Sequence, residues 1–557
     1  DGKTLYLCLN GKTLASNGTA KIQVKNGGRL VLCDCQGGGT FKGATQNVWG
    51  GACIYLYTST LDMFGGKLTG GKVTGNGGGG AIALDDQQCI FNMYGGEISG
   101  NNGNNYGGAI FRKFNANMPN TTGGTFNMYG GTIKNNTAKN GGAFFSTTGG
   151  TINMTGGTIK DNISNTLGGG VYVKGLQSRS STLNLSGGEI SGNRVNSTND
   201  DLGFDGGGGV YVDLYATLDL SGTARISGNY ACAVDYKEST TFGGGFGGGV
   251  YVAGTFDMRG GEICDNFAGL ANYKNKYGND DRRGGDGGGV YLYSKSSFSM
   301  SGGSIQDNTV DDRGGCVFAR GYDHTITLSG RSIIQNNVDK DDQDNNLYLE
   351  NSSQQVSARR LSSGADIGIS SGRTLASGQT VQISSDACTG SIQYVSADRA
   401  GYETYLNSEG LIYLRLKTYQ VSVTLPNGLT YKNGGRLTQD CLDLTPITIS
   451  VTDPDNYYIP DGYSVTLNGI TAAKVDSYTI RVTGTATADT AMTLTAPTEK
   501  TAQTQPPTGL TVTHPQSRTG YGRINGTNSS MEYRPVGGTR WSQCGSAFTS
   551  ALAGTYE

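Results

Sequence analysis

One eleven-residue pattern, Phe91 to Asn101, restricts the fold of this chain more than any other feature. It is an apolar-x-apolar strand, a Gly-Gly turn, an Ile, and an Asn three residues after that Ile. It returns as Phe126 to Asn136, Ile152 to Asn162, Leu183 to Asn193, Phe256 to Asn266 and Phe298 to Asn308. Degraded copies run from Leu218 to Asn229 and Ile326 to Asn336, and Leu61 to Asn76 carries an insertion. A second pattern follows each copy after a connection of variable length: small residues, an aliphatic or Phe, then an aromatic. It ends at Phe111, Phe145, Tyr172, Tyr211, Tyr251, Tyr291 and Phe318, with Tyr348 as a last relative. Short segments with period-2 alternation are strands, and Gly-Gly pairs turn the chain between them. A unit of about three short strands cannot enclose a core alone, but stacked on its own copies it can. The expected fold is therefore all-β: a right-handed parallel β-helix, each strand pairing with its copy one coil away, about 4.8 Å per coil.

In that register Ile98, Ile133, Ile159, Ile190, Ile263 and Ile305 form one inward column. The terminal Asn residues form a hydrogen-bonded ladder. Asn162 and Asn135 also begin formal glycosylation sequons, but a repeat this regular points to structure. The expected solenoid spans residues 1–416, with an N-terminal cap over 1–60 and closing coils over 338–416. A small Ig-like β-sandwich is expected over 417–500, a Pro/Thr/Gln linker over 501–507, and a partial β-module over 508–557. The chain reads as a piece of a longer protein.

Composition narrows function. The 93 Gly among 557 residues lack a period of three, which excludes collagen. The 43 Lys+Arg nearly cancel the 45 Asp+Glu, so no basic face for nucleic acid is expected. No apolar run is long enough for direct membrane insertion. Two histidines and eleven scattered cysteines without a CxxC pair give no metal site and no disulfide framework. Cys33 and Cys35 are the closest pair, and most cysteines are expected as small core residues. No cofactor is expected. The Gly-rich strings lack the Lys-Ser/Thr of a phosphate loop.

The connections after the Asn turns are the informative part, because loops on a rigid scaffold carry function. The longest span 194–207, 230–247 and 267–287, all leaving one side of the solenoid. Coil stacking would gather Asp200, Asp201, Asp205, Asp280, Asp281, Arg282, Arg283, Asp286, Asp311, Asp312 and Arg313 into one patch. That patch reads as solvated charge, a polar recognition surface, a calcium site or a catalytic group such as Asp281 with Asp312 aided by Arg282 or Arg313. His324 reads as a turn residue rather than a base. Tyr172, Tyr211, Tyr251 and Tyr291 follow inward-pointing valines, so alternation turns them outward. They are expected as an exposed ladder, extended by Phe111, Phe145 and Phe318. Such a ladder stabilises the sheet by stacking or receives a ligand, with the long loops able to fold over it.

The Gly-Gly-x-Ile-x-x-Asn and Gly-Gly-Gly-Val-Tyr motifs resemble those of large right-handed β-helix surface proteins, adhesins, of Gram-positive gut bacteria. They are also similar to the two repeat motifs of chlamydial polymorphic membrane protein adhesins, with Ile usually replacing Phe. The segments Leu425 to Leu429 and Met531 to Tyr556 resemble the tandem β-modules of such proteins. The resemblance implies a monomeric extracellular protein, secreted or cell-wall attached. Its partner would be a host or microbial surface glycan or protein, such as a mucin, matrix protein or immunoglobulin. It brings no catalytic residue. The alternative is a β-helix carbohydrate-active enzyme, a polysaccharide lyase or glycoside hydrolase, using the loop Asp and Arg residues.

Overall fold

A computed structural model describes the chain except for residues 1, 20, 48–49, 86–87, 114–123, 148, 198–204, 235–244, 272–284, 312–316, 433–437, 501–506, 514–520, 529–530, 535, 537–538, 541, 546–547 and 553–557. The chain divides into two compact units, Asp1–Arg415 and Leu416–Glu557.

The first unit is a right-handed parallel β-helix. Each coil contributes strands to stacked rows, and one full coil shows them all. Val171–Val173 forms the first row, Ser181–Leu185 the second, Glu189–Ser191 the third and Arg194–Ser197 the fourth. The next coil repeats them in register: Val171 beside Val210, Leu183 beside Leu218, Ile190 beside Ile226, Val195 beside Ala231. The fourth row is a departure from expectation. The starts of the three long connections are strands, Arg194–Ser197, Tyr230–Val234 and Phe267–Ala271, in a six-stranded stack of their own.

Alternation fills the lumen. Val171 and Val173 are fully buried, as is the whole Ile98, Ile133, Ile159, Ile190, Ile226, Ile263 and Ile305 column at 2% exposure or less. Burying such side chains stabilises by roughly 1.5–3 kcal/mol each. The Gly-Gly turns are needed where backbones meet. A Cβ on Gly208 would lie 2.3 Å from the Gly248 carbonyl oxygen of the next coil.

The Asn column is the ladder expected. From Asn101 through Asn136, Asn162, Asn193, Asn229, Asn266, Asn308 and Asn337 to Asn346, each Nδ2 donates to the next Oδ1 at 2.8–3.0 Å. Each backbone N–H donates to that same oxygen, at 3.0 Å for Asn136 to Asn162. From Asn101 to Asn337 the Nδ2 group also donates to a carbonyl one coil back, Leu68 for Asn101 and an Ile for the others, as from Asn193 to Ile159 at 2.9 Å. The residue before each rung except Asn346 is left-handed: Gly100, Asn135, Asp161, Gly192, Gly228, Asp265, Asp307 and Asn336 all have φ between 54° and 67°. Gly, Asn and Asp tolerate that conformation best.

Two rungs differ from the expected register. An extra residue in the turn after Leu328 moves the rung from Asn336 to Asn337. Asn76 stays outside the ladder and accepts a bond from Asn105 Nδ2 at 3.4 Å, while Gly71 N–H occupies the first rung by donating to Asn101 Oδ1.

The first coil, Thr4–Cys8, Thr13–Ala15 and Ile22–Lys25, stacks directly on the second in the same sheet. At the other end Leu347–Leu349, Val356–Ser357, Asp366–Ser371 and Val395–Ala397 continue the parallel stack. The segment around Val381 joins it by one parallel bridge, Ser384 beside Val356, while Thr380–Gln382 itself pairs antiparallel with Ile412–Leu416.

In the second unit, residues of two sheets enclose a core of Val421, Val423, Ile447, Ile449, Ile470, Ile480, Val482 and Met492. The five-stranded sheet is antiparallel, as expected of a sandwich. The three-stranded one is mixed, because Tyr419–Thr424 runs parallel to Thr490–Thr493. Beyond it, Thr511–Thr513, Tyr521–Asn525 and Phe548–Leu552 form a three-stranded antiparallel sheet.

Candidate functional site

The aromatic column stands where alternation places it, on the outer side of the first row, but it is not exposed. Tyr172, Tyr211, Tyr251 and Tyr291 are 6%, 8%, 1% and 0% accessible. The expected exposed ladder is thereby corrected. The reason lies in the residue preceding each Gly-Gly turn. Tyr106, Asn140, Leu167, Gly206 and Phe246 stack by successive parallel bridges into a narrow strip. Gly247 N–H extends the strip by donating to the Asp286 carbonyl at 3.0 Å. From this strip Tyr106, Leu167 and Phe246 pack onto the column, forming an apolar cluster with Phe111, Phe145, Ala253 and Phe318. Period 2 tells which side of a strand a residue faces, not whether a second layer covers that side.

Within the cluster the rings stack along the solenoid axis. Tyr211 and Tyr251 lie 4.4 Å apart at 16°, Tyr251 and Tyr291 4.9 Å apart at 30°. Phe246 sits 4.9 Å from Tyr291 as part of the cover. The Tyr172 hydroxyl donates to Asp213 Oδ2 at 2.6 Å. Arg320 Nη1 donates to the Tyr291 hydroxyl at 3.4 Å. Burial pushes all four phenols up, with the Asp213 carboxylate adding to the rise at Tyr172 and Arg320 opposing it at Tyr291. They are neutral donors at any physiological pH. Among the described residues Tyr106, Leu167, Phe246, Tyr293 and Tyr348 pack against these rings.

The charged half of the expected patch falls mostly outside the described residues: Asp200, Asp201, Asp280, Asp281, Arg282, Arg283, Asp312 and Arg313. Asp205 and Asp311 are described and nearly buried at 7%, at the roots of two of the connections. His324 is half-buried in a turn, with Nε2 2.6 Å from the Arg320 carbonyl and Nδ1 3.2 Å from Ser296 Oγ. Burial lowers its pKa, so it is a neutral structural residue at pH 7.

Two features were missed in the sequence. One is an exposed aromatic stack at the turn after the second row. Phe64 lies 4.6 Å from Tyr94 at 10°, and Tyr94 lies 4.9 Å from Tyr129 at 9°. The residue before each Gly-Gly of the eleven-residue pattern was its signal. The other is a cysteine group. Cys8 and Cys33 are register partners in adjacent strands, and Cys35 follows across a bend, so the three Sγ atoms lie within 4.8 Å of one another. The Leu-x-Leu-Cys repeat at Leu5 and Leu30 was the signal. This departs from the expectation that no cysteines assemble with metal-ligand spacing. Hydrogen bonds from the Cys35 side chain and backbone lower the Cys8 thiol pKa, while Cys35 is pushed up to about 11 beside Cys8.

No protein family, curated protein or solved structure matches this chain. Among the described residues no helix is long and apolar enough to cross a membrane.

Proposed function

We propose that this is a non-enzymatic, surface-displayed or secreted adhesin-type protein that binds a host or microbial glycan or protein through the connections at one corner of its solenoid. One observation carries the reading. Residues 198–204, 235–244 and 272–284 each lie between a stacked fourth-row strand and a stacked Gly-Gly turn. The residues that flank these three segments stack in register on successive coils, and the segments differ in length and chemistry. The connection between the first and second rows varies as well, as from Lys113 to Thr125, and a purely structural stalk has no use for variation of this kind. A recognition surface needs only neighbouring anchor points for its loops, and the stacked flanking residues supply them. The burial of the tyrosine column moves the expected contact from the rings to these insertions, with Asp280, Asp281, Arg282 and Arg283 as candidate contacts, joined by Asp312 and Arg313 of the connection that follows Thr309–Val310. An enzyme would instead need Asp281 and Asp312 opposed across a cleft.

The test is a glycan and host-protein array probed with the full chain, followed by a variant in which residues 272–284 are replaced by Gly-Asn. The expected result is unchanged folding, because Phe267–Ala271 and Gly287 remain to stack, with loss of the array signal. Equal binding by parent and variant sinks the reading. Depolymerisation of an arrayed glycan by the parent establishes the enzyme in its place.

A further inference from the structure

We propose that Cys8, Cys33 and Cys35 form a binding site for one thiophilic divalent cation of the zinc type. The three donors converge by construction, not by chance proximity of side chains. In-register pairing of Thr4–Cys8 with Arg29–Cys33 sets Cys8 beside Cys33. The bend that follows returns Cys35 to the same point, with its N–H donating to Cys8 Sγ at 3.2 Å and the Cys8 and Cys35 sulfurs 2.9 Å apart. Asp34 holds that bend. Its Oδ1 accepts from Gly11 N–H at 2.7 Å and its Oδ2 from Gly39 N–H at 2.6 Å. Its carboxylate is thus engaged in the loop and the site offers sulfur alone.

Three thiolates select soft or borderline cations over calcium or magnesium, which demand oxygen. Tetrahedral zinc with Zn–S bonds of about 2.3 Å holds its sulfurs roughly 3.8 Å apart, within reach of this group after small rotations. The three sulfurs are exposed or half-exposed, so a fourth position is open to water or an exogenous thiol. Binding releases the three thiol protons and leaves a complex of net charge −1 for a divalent ion. It would also tie the first coil to the second: Thr4–Cys8 pairs only with Arg29–Cys33 among the described strands. This inference is independent of the adhesin reading.

The test uses the full chain, reduced and stripped of metal. Cobalt(II) is titrated in, and the thiolate-to-cobalt charge-transfer band and the visible bands of a tetrahedral site are followed. One equivalent is expected to saturate both bands, and zinc(II) to displace it. Cys8→Ser and Cys35→Ser should abolish the charge-transfer band while circular dichroism stays that of the parent. Cys264→Ser, in a buried position coils away, should keep it. With zinc, hydrogen-exchange protection should rise at the Thr4–Cys8 amides and not at the Val171–Val173 amides. No charge-transfer band at one equivalent overturns the proposal. So does a band that survives both Cys8→Ser and Cys35→Ser. Peptide mapping that finds a Cys8–Cys35 disulfide, re-formed in air with zinc present, assigns the group to disulfide formation and also overturns it.

Discussion

Two asparagine ladders run along the same solenoid, and they differ in burial and in the backbone bonds that only the inner one adds to its amide stack. The inner one, Asn101 to Asn346, is buried at every rung, with exposures of 5% or less. The outer one stands on the second row. Asn184 Nδ2 donates to Asn153 at 2.7 Å, Asn153 to Asn127 and Asn127 to Asn92 at 2.8 Å, and Asn92 to Asp62 at 2.7 Å. Its asparagines are half-exposed. The inner ladder keeps Asn through nine rungs. The outer one gives way to Asp219, Asp257 and Ser299 in register. The bonds have the same lengths, so the bond itself does not enforce the residue. Water does: an outer amide that loses its partner finds a solvent molecule, and an inner one cannot.

The sharpest way to break this comparison is Asn193→Ala. It removes the Oδ1 that accepts both Asn162 N–H and Asn162 Nδ2, and the donor to Ile159 and Asn229. Buried donors left unmet cost about 1–3 kcal/mol each, so roughly 4–6 kcal/mol is expected. Urea denaturation monitored by circular dichroism checks it. A loss no larger than about 1 kcal/mol would mean the ladder is not the source of the repeat's Asn.

The same logic applies to the aromatic columns. Tyr251→Ala empties a site with 1% exposure between Tyr211 and Tyr291, and about 3–5 kcal/mol should be lost. Tyr94→Ala acts on a ring 43% exposed between Phe64 and Tyr129, and about 1 kcal/mol is expected. Equal thermal shifts for the two variants would show that the Tyr106, Leu167 and Phe246 strip does not seal the column.

The inner ladder ends on a carboxylate, and this makes it sensitive to pH. Asn346 donates N–H to Asp398 Oδ2 at 2.8 Å and Nδ2 to Oδ1 at 2.7 Å. The last rung needs only acceptors, which Asp supplies in duplicate. Burial nevertheless pushes the Asp398 carboxyl from its ordinary 3.8 up to about 6, against the two Asn346 bonds that pull it down. The folded chain therefore holds this proton more tightly than the unfolded one. The stabilisation is complete below about pH 4 and is lost as pH rises through about 6, a change on the order of 2–3 kcal/mol. Glu97, held near 2 by Ser99, Lys134 and Lys67 against burial, titrates below that window. Chemical denaturation at pH 4.5 and 7 should show the difference, and Asp398→Asn should flatten it. An unchanged slope in the variant would assign the pH dependence to other carboxylates.

What could be read from the sequence follows from the same distinction. The coil register, the Ile column and the inner ladder were legible because burial on every coil imposes one residue type, and identity then repeats. The fourth row was not. Thr137–Asn140, Ile163–Leu167, Arg194–Ser197, Tyr230–Val234 and Phe267–Ala271 stack through backbone bonds and share few side chains. They therefore read as loop. The tyrosine column was placed on the correct side of its strand, yet its cover is formed by single residues before each Gly-Gly turn, of which only Tyr106, Leu167 and Phe246 are large and apolar. The cysteine group was hidden by chain distance. Cys8 and Cys33 are 25 residues apart, which is one coil and hence one strand spacing.

The smallest expected effect is the most informative control. Asn153→Ala breaks two outer-ladder bonds, to Asn127 and from Asn184, matching in number the side-chain bonds broken along the inner ladder by Asn193→Ala. Both neighbours it strands are half-exposed and take up water, and Met154 and Ile152 beside it keep their lumen positions. The loss should stay below about 1 kcal/mol. Asn153→Asp sharpens the point further. The carboxylate still accepts from Asn184 but cannot donate to Asn127. A half-exposed charge costs little, and the register already places Asp at 219 and 257 on the same row. Its melting temperature should lie within a few degrees of the parent's at pH 7. If instead Asn153→Ala cost as much as Asn193→Ala, solvent access would not be what separates the ladders. Cooperative polarisation along the amide stack would then have to stabilise both.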